Sequence, residues 1–587
     1  MLKGWVYSNR KDLLFIVFCW FIIATVMFTK SWENISNLEL KDNDDYMRYV
    51  QFMDWIKFGN WYLEPMPRFN PEDGVIMHWS RVSDFIPAGL TLLFISFLGF
   101  EVASLVAIAV TPLLYLLLFA LALFAYVDHY LGKDHRFIGM LFALGSHAIS
   151  KFFPGSIDHH NLQLIIVALF LIGTPQLCIQ ENEKWRPIYQ GLLIGLSLWI
   201  GLDNFILFTS YLCLYTLYSY LYRYKLLDYL FRLCFFATLF TTIAILLNRP
   251  ISEFTFEHYD SISLPFALCF LAGGFFTYLS NKCLTIETSF NSKLIKGILL
   301  FIICFVPIIY IYPQLLKGAL ADYPLLLREF WLNKVTEAQP MLRTIQKNGF
   351  FSSENYFLFF VPALCYPLLQ KKNKDLNILY FMLLIQLVLG LLWQVRVMTI
   401  CFILSAPIQV YVLMKISNSF KFQLTQAIII LSGMPIIVLI LISMISPSPD
   451  EPEKNTKNNV SAYQQLINSG INSNKIMTGT ESGAKILATT HNTIIAAPYH
   501  RNINGNSFVI ETFLSTNIDE VHKRLIQNNV DFILINNDSQ LKIIRASATN
   551  DAFINVLEHT ELPSWIQPTS VDFNTNSRLF KIIGPNE

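Results

Sequence analysis

From Val102 to Val127 the chain carries no charged residue. An apolar run of that length exceeds the ~20 residues a helix needs to cross a bilayer. Inside hydrocarbon there is no water to satisfy backbone N–H and C=O groups, so such a run must be helical. The pattern recurs. Spans are expected near 13–29, 102–126, 136–150, 162–180, 188–202, 203–222, 229–247, 264–281, 296–312, 356–370, 377–394, 395–415 and 424–445. Over 587 residues 54% are hydrophobic and 14% are charged. The mean hydropathy is +0.45. A soluble chain does not use apolar residues on that scale, so a polytopic α-helical membrane protein is the reading. A net charge of +1 argues against a nucleic-acid partner. The nine cysteines all lie at or before Cys401, without metal-ligand spacing, and read as small buried hydrophobes.

Basic loops stay on the cytoplasmic side, and that rule fixes the count. The short stretch 85–99 (FIPAGLTLLFISFLG) is read as re-entrant or interfacial. Then GKDHR, NEKWR, YRYK, KLIK and KKNK fall inside, while DNDD, SIDHH, EFTFEHYD and 313–355 fall outside. This favours about 13 spans with a cytoplasmic N-terminus, the first span being a retained anchor. Residues 1–446 form the membrane part, with external loops at 30–101 and 313–355. The Pro-containing linker SPSPDEPEKNTKNN then leads to an external, periplasmic α/β domain over 447–587. There TIIAAPYH and VDFILINND read as strands and DEVHKRLIQNN as an amphipathic helix.

Four unusual polar sites share the external face: Asp42 with Asp44 and Asp45, Asp158 with His159 and His160, Glu337, and Arg396. Ionisable groups at a membrane boundary are functional candidates. Carboxylates with one imidazole suit a hard divalent cation such as Mg²⁺ or Mn²⁺, which also cancels the repulsion among neighbouring acids. The arginine suits a phosphate. Asp45 reads as a helix cap, with Asp42 as ligand or in the ligands' immediate surround. His78, Trp79 and Arg81 read as an interfacial belt with an anchoring arginine, lipid-headgroup contact being the other reading. Pro498–Asn502 reads as a solvated loop, or else as a cluster facing the site.

These residues resemble the catalytic subunit of oligosaccharyltransferase, a GT-C type membrane glycosyltransferase. The resemblance rests on four motifs in order. Asp42-Asn43-Asp44 is followed by Tyr46 and Arg48. Gly155-Ser156-Ile157-Asp158-His159-His160 comes next, then Val335-Thr336-Glu337-Ala338-Gln339-Pro340, then Val395-Arg396-Val397-Met398. It implies a sugar or oligosaccharide donor on a polyprenyl phosphate or diphosphate, inversion at the anomeric carbon, and an acceptor that is a glycan, lipid or protein. The metal would lie among Asp44, Asp158, His160, Glu337 and Asp42. Asp44 and Glu337 would orient or deprotonate the acceptor, Arg396 would hold the donor phosphate, and 313–355 would act as a lid. The family's Trp-Trp-Asp-Tyr-Gly string, which reads Asn-x-Ser/Thr acceptors, has no counterpart. Thr480–Ala484 is the nearest context and reads as its turn. A lipid-linked sugar flippase and a non-catalytic scaffold of an envelope glycan complex are the alternatives.

Overall fold

The computed structural model describes residues 2–175, 184–222, 225–283, 289–350, 356–369, 373–438, 440, 463–536, 538–559, 561–571 and 577–584. The linker expected at 446–459 lies outside these residues, as does the end of the span expected at 424–445. The protein is an integral membrane protein built mostly of helices. The helices that matter are α1 (Arg10–Ser36), α2 (Asn43–Phe58), α3 (Phe85–Leu98), α4 (Phe100–Leu131), α5 (His160–Ile172), α6 (Trp185–Ile200), α7 (Phe205–Tyr222), α8 (Lys225–Asn248), α9 (Leu264–Cys283), α10 (Phe290–Ile311), α11 (Lys374–Leu392) and α12 (Met398–Ser417).

Among the described residues, eight helices are long and apolar enough to cross a membrane: α1, α4, α7, α8, α9, α10, α11, and α12 with its leading turn. Each coincides with an expected span. The segments expected at 136–150, 162–180, 188–202, 356–370 and 424–445 are shorter or broken helices. Pro362 and Pro367 explain one of them, since each removes a backbone donor and leaves Tyr356–Leu368 as three short turns. The stretch expected to be re-entrant is α3. It packs back along α4 after a reversal at Gly99, whose φ is +75°.

Burial sorts the helices. In α1 only Ile16, Ala24 and Ile35 are buried, and in α10 only Leu300, so their apolar faces are left for lipid. By contrast α12 is buried along nearly its whole length and forms the bundle's centre. The tightest pairing is α6 against α8. A Cβ on Gly191 would come within 2.6 Å of Phe236, and one on Gly195 within 2.7 Å of Phe240. Without an aqueous hydrophobic drive, close approach through small residues is how membrane helices gain contact.

Past the bundle, β1 (Lys475–Met477), β2 (Thr493–Ile494), β3 (Phe532–Ile535), β4 (Ile566–Pro568) and β5 (Arg578–Ile582) form one mixed sheet in the order β2-β1-β3-β5-β4. β1 is parallel to β2 and β3, and β5 is antiparallel to β3 and β4. The two expected strands and the expected helix α14 (Ile518–Gln527) are present. Thr480–Ala484, expected as a turn, instead begins the helix α13 (Thr480–Thr489).

The first long loop closes the sheet's β2 edge. Phe69 bridges Ile494 in parallel, and Arg68 donates to the carbonyls of Leu487, Thr490 and Asn492. An edge strand exposes unpaired backbone groups, and this loop satisfies them. The loop expected to be a lid is likewise anchored. Leu327, Phe330 and Trp331 are buried in one core with Phe513, Ile533 and Phe580 of the sheet region. Both loops therefore tie the C-terminal region to one end of the bundle.

Candidate active site

The site begins at α2. Asp42 has extended backbone angles, and its carboxylate accepts the Asp44 N–H at 3.2 Å, so Asp42 is the helix N-cap. Asp45, expected to be the cap, is 3% exposed and accepts the N–H groups of Ile157 and Asp158 at 2.8 and 3.0 Å. It holds the second motif in place. One turn on, the buried Arg48 donates to Asp84 at 3.3 Å, stands 3.7 Å from Asp158, and lies over the Trp79 ring at 4.4 Å. Trp79 is therefore a buried wall of the site rather than part of an interfacial belt.

His159 is fixed by two carboxylates. Its Nδ1 is 2.5 Å from Asp158 and its Nε2 is 2.8 Å from Asp203. Burial opposes a charge on this ring, but the two acids push its pKa up to about 9, so it carries both protons at neutral pH. The same contacts hold Asp158 and Asp203 well below the ordinary carboxylate range in spite of their burial. His160 is less tightly held, with Nε2 3.2 Å from Asp158 and Nδ1 3.9 Å from Asp203. The chain passes so close over His159 at Gly201 that a Cβ there would meet its ring at 2.9 Å. Gln163 and Asn204 brace this turn, Gln163 Nε2 donating to the Gly201 carbonyl at 2.9 Å.

Opposite stands Arg396, in the turn before α12. It bonds Glu337 and lies 3.3 Å from Asp203. The Val395 N–H donates to the Gln339 carbonyl at 2.8 Å, which brings the third and fourth motifs together. Arg396 draws Glu337 below its ordinary pKa against the opposing effect of burial. Asp44 goes the other way. Burial, then Asp158, Asp42 and Glu337, push it well above the carboxylate range.

Asp44, His160, Asp203, Glu337 and Arg396 line one cavity of about 420 Å³. Asp158 stands behind the imidazoles, and Asp42 is exposed on the cap; neither lines the cavity. Asp158, His159 and His160 have ligand atoms within 4.8 Å of one another, close enough to hold a metal ion. Asp203 was not singled out in the sequence. Its signal was an acidic residue at the junction of two spans, on the face that the loop charges assign to the outside. The cluster Pro498–Asn502 also belongs here and is not a solvated loop. Tyr499 is buried and donates to the Asn43 carbonyl at 2.9 Å. Arg501 and His500 grip Asp260, and His500 packs 4.7 Å from His78 on the cavity wall.

The chain is thus a membrane-helix bundle with an acid–imidazole cavity at one end and a mixed sheet docked beside it. No family model matches the chain, and no curated protein matches it in sequence. Solved structures do match in fold. The archaeal oligosaccharyltransferase AglB from Archaeoglobus fulgidus, in complex with an inhibitory peptide and a dolichol-phosphate, is 14% identical with a TM-score of 0.62, over 93% of this chain and 72% of that one. The Archaeoglobus fulgidus enzyme tethered to an acceptor peptide containing the NVT sequon is 13% identical with a TM-score of 0.64, over 98% and 76%. Its complex with Zn and sulfate is 14% identical with a TM-score of 0.57, over 87% and 67%.

Proposed function

We propose that the chain is an inverting glycosyltransferase that moves a sugar or oligosaccharide from a polyprenyl phosphate or diphosphate to an acceptor on the external face of the membrane. The observation that carries this reading is the convergence of Asp44, Asp203, Glu337, His160 and Arg396 on one cavity at an end of the membrane helices. The fold shared with oligosaccharyltransferases, one of them in complex with dolichol-phosphate, supports it. In this reading residues 1–446 with about 13 spans are the catalytic part, and 447–587 are an external domain.

The donor set fits a divalent cation, Mg²⁺ or Mn²⁺. Burial, then its acidic neighbours Asp158, Asp42 and Glu337, raise Asp44, and a bound cation relieves the repulsion among those acids. Asp44, Asp158, His160 and Glu337 would hold it. Asp42, as cap of α2, would act by placing Asp44. Bound there, the cation supplies Lewis-acid stabilisation of charge growing on the departing phosphate. His159, with both nitrogens on carboxylates, aligns Asp158 and Asp203 and leaves ligation to His160. Arg396 keeps a buried Nε without a partner among the described residues, a donor ready for a phosphate oxygen. Asp44 and Glu337 orient the acceptor or take its proton. The missing Trp-Trp-Asp-Tyr-Gly string argues that the acceptor is not an Asn-x-Ser/Thr peptide.

The test is release of polyprenyl phosphate or diphosphate from the lipid-linked glycan pool of the source membranes, with Mn²⁺ and with EDTA. Metal-dependent release, lost in Asp44→Ala, Asp158→Ala and Glu337→Ala, is expected. Donor binding without turnover, indifferent to EDTA and to all three changes, would sink the enzyme and favour a flippase or scaffold.

A further inference from the structure

A second cavity of about 330 Å³ lies in the first long loop, between α2 and the chain from Asn60 to Arg81. Its size falls within the ~300–1,000 Å³ usual for small-molecule sites. Gln51, Asp54, Trp55, Asn60, Glu64 and Arg81 supply its polar and aromatic surface. Several of these groups await a ligand. Gln51 is 3% exposed, yet its Oε1 has no hydrogen-bond partner among the described residues. Arg81 Nε likewise has no partner among the described residues, and the Asp54 carboxylate faces the charges of Arg68, Lys57 and Arg81. A buried polar atom left without a partner is costly, so a site that keeps such atoms suits a polar ligand.

The two cavities share a wall. Met77 and Arg81 face the second cavity, while His78, Trp79 and Ser80 between them face the first. A row of aromatics also joins them. Trp55 of the second cavity meets Trp61 at 5.9 Å, and Trp61 meets Trp199 of the first at 6.4 Å, in edge-to-face contacts, with the Arg81 guanidinium 5.5 Å from the centre of the Trp55 ring. Trp61 is 37% exposed and is held in place by its Nε1–H bond to the Leu247 carbonyl at 2.6 Å. A hydrogen bond and ion pairs run in parallel. Gln51 and Arg81 both reach Asp84, Asp84 pairs with Arg48, and Arg48 stands beside Asp158.

We propose that the Trp55–Trp61–Trp199 row and the second cavity form a saccharide track, in which sugar residues beyond the one being transferred lie along the tryptophans and one ring occupies the pocket of Gln51, Asp54 and Arg81. The proposal rests on the glycosyltransferase reading and names the part of the substrate that reading leaves open. A pyranose has hydroxyls that both donate and accept, matching the unpaired oxygen of Gln51, the carboxylate of Asp54 and the N–H of Arg81. Its C–H faces pack on aromatic rings, where they leave water. A lipid chain would leave those three groups unsatisfied.

The experiment uses the full-length protein in lipid nanodiscs. The first probe is the oligosaccharide freed by mild acid from the lipid-linked pool of the source membranes, with binding read by saturation-transfer NMR. It should bind wild type, and bind Asp54→Asn and Trp61→Leu about tenfold more weakly. Asp54→Asn is isosteric and keeps the test open if Trp61→Leu fails to fold. In donor turnover, the same two variants should raise KM about tenfold for the intact oligosaccharide donor. They should leave KM for a single-sugar polyprenyl phosphate unchanged. A rise seen only with lipid-linked glycan assigns the track to the donor. A rise seen only when the free oligosaccharide serves as acceptor assigns it to the acceptor. Absence of oligosaccharide binding in wild type, or equal binding in both variants, overturns the track. If wild type releases no lipid phosphate while the free glycan still binds as expected, the transfer reading fails and the saccharide site stands.

Discussion

Two charged clusters stand side by side at the end of the bundle, and they are built on opposite principles. In the clasp, one carboxylate meets its full complement. Asp260 takes Arg501 Nε at 2.6 Å and Nη2 at 2.8 Å, and His500 at 2.7 Å. These partners hold Asp260 well below the ordinary carboxylate range against its burial. In the acid cluster around the cavity, Asp44 lacks, among the described residues, the close cationic partners that the other acids have. Asp44 is pushed up while Asp158, Asp203 and Glu337 are held down by His159, His160 and Arg396. Balanced charge of the first kind fixes two parts of a chain together. Unbalanced charge of the second kind is tolerated because a ligand completes it. Asp260 lines the same cavity, so the clasp reads as the structural part of its wall and the acid cluster as the functional part.

The sharpest break between them comes from removing acids of the cluster at and behind the cavity wall. Asp44→Ala and Asp158→Ala should cut lipid-phosphate release about 10³-fold, ~4 kcal/mol of barrier, with circular dichroism unchanged. EDTA should match that loss, and Mn²⁺ or Mg²⁺ should restore it. Next comes Asp203→Asn, which leaves His159 with one ionised partner. Loss of such a supporting contact typically costs about 10–100-fold in metal affinity or activity, and a metal titration of turnover should read it. In the clasp the effect should move from rate to stability. Asp260→Ala strands Arg501 and should destabilise by ~2 kcal/mol, less than a fully buried pair would because the residues keep partial exposure. A thermal melt in detergent should show it while residual turnover persists.

The smallest effect is a pH dependence at the seam. Glu481 accepts from Asn43 Nδ2 at 2.8 Å, joining α13 to α2. Burial, then Asp538, raise its pKa from 4.5 to about 7. The folded state therefore binds this proton more tightly than the unfolded one. The stability it brings is present at acid pH and is lost as pH rises from about 4.5 to about 7. The melting temperature should fall across that window in wild type, and Glu481→Gln should flatten this part of the slope. An equal slope in both would detach Glu481 from the seam.

Much of this site was legible before any coordinates. Asp158, His160 and Arg396 stand out as charges at the ends of apolar runs, and Asp44 and Glu337 as acids in the external loops between them. Loop charges then put them on one face. Other features were hidden for identifiable reasons. Asp42 and Asp45 exchange expected roles because capping depends on backbone angles, extended at Asp42, and both residues are good caps by type. Asp203 was lost in a turn so tight that two apolar runs read as adjoining. His159 and His160 are indistinguishable as letters, and only the arrival of Asp203 44 positions away pins one of them. Trp79 looked like a belt residue because interfacial and buried tryptophans carry the same neighbours in sequence.

What the sequence determined by itself is the helical membrane architecture. Lipid solvent acts on each segment separately, so hydropathy and backbone satisfaction suffice to place a span. Which charges meet was decided only by the tertiary structure. Arg396 reaches Asp203 across 193 positions and Asn43 reaches Glu481 across 438, through the packing of helices and the docking of a sheet. A polar side chain's role depends on the field and the partners around it, and at such separations only the fold supplies them.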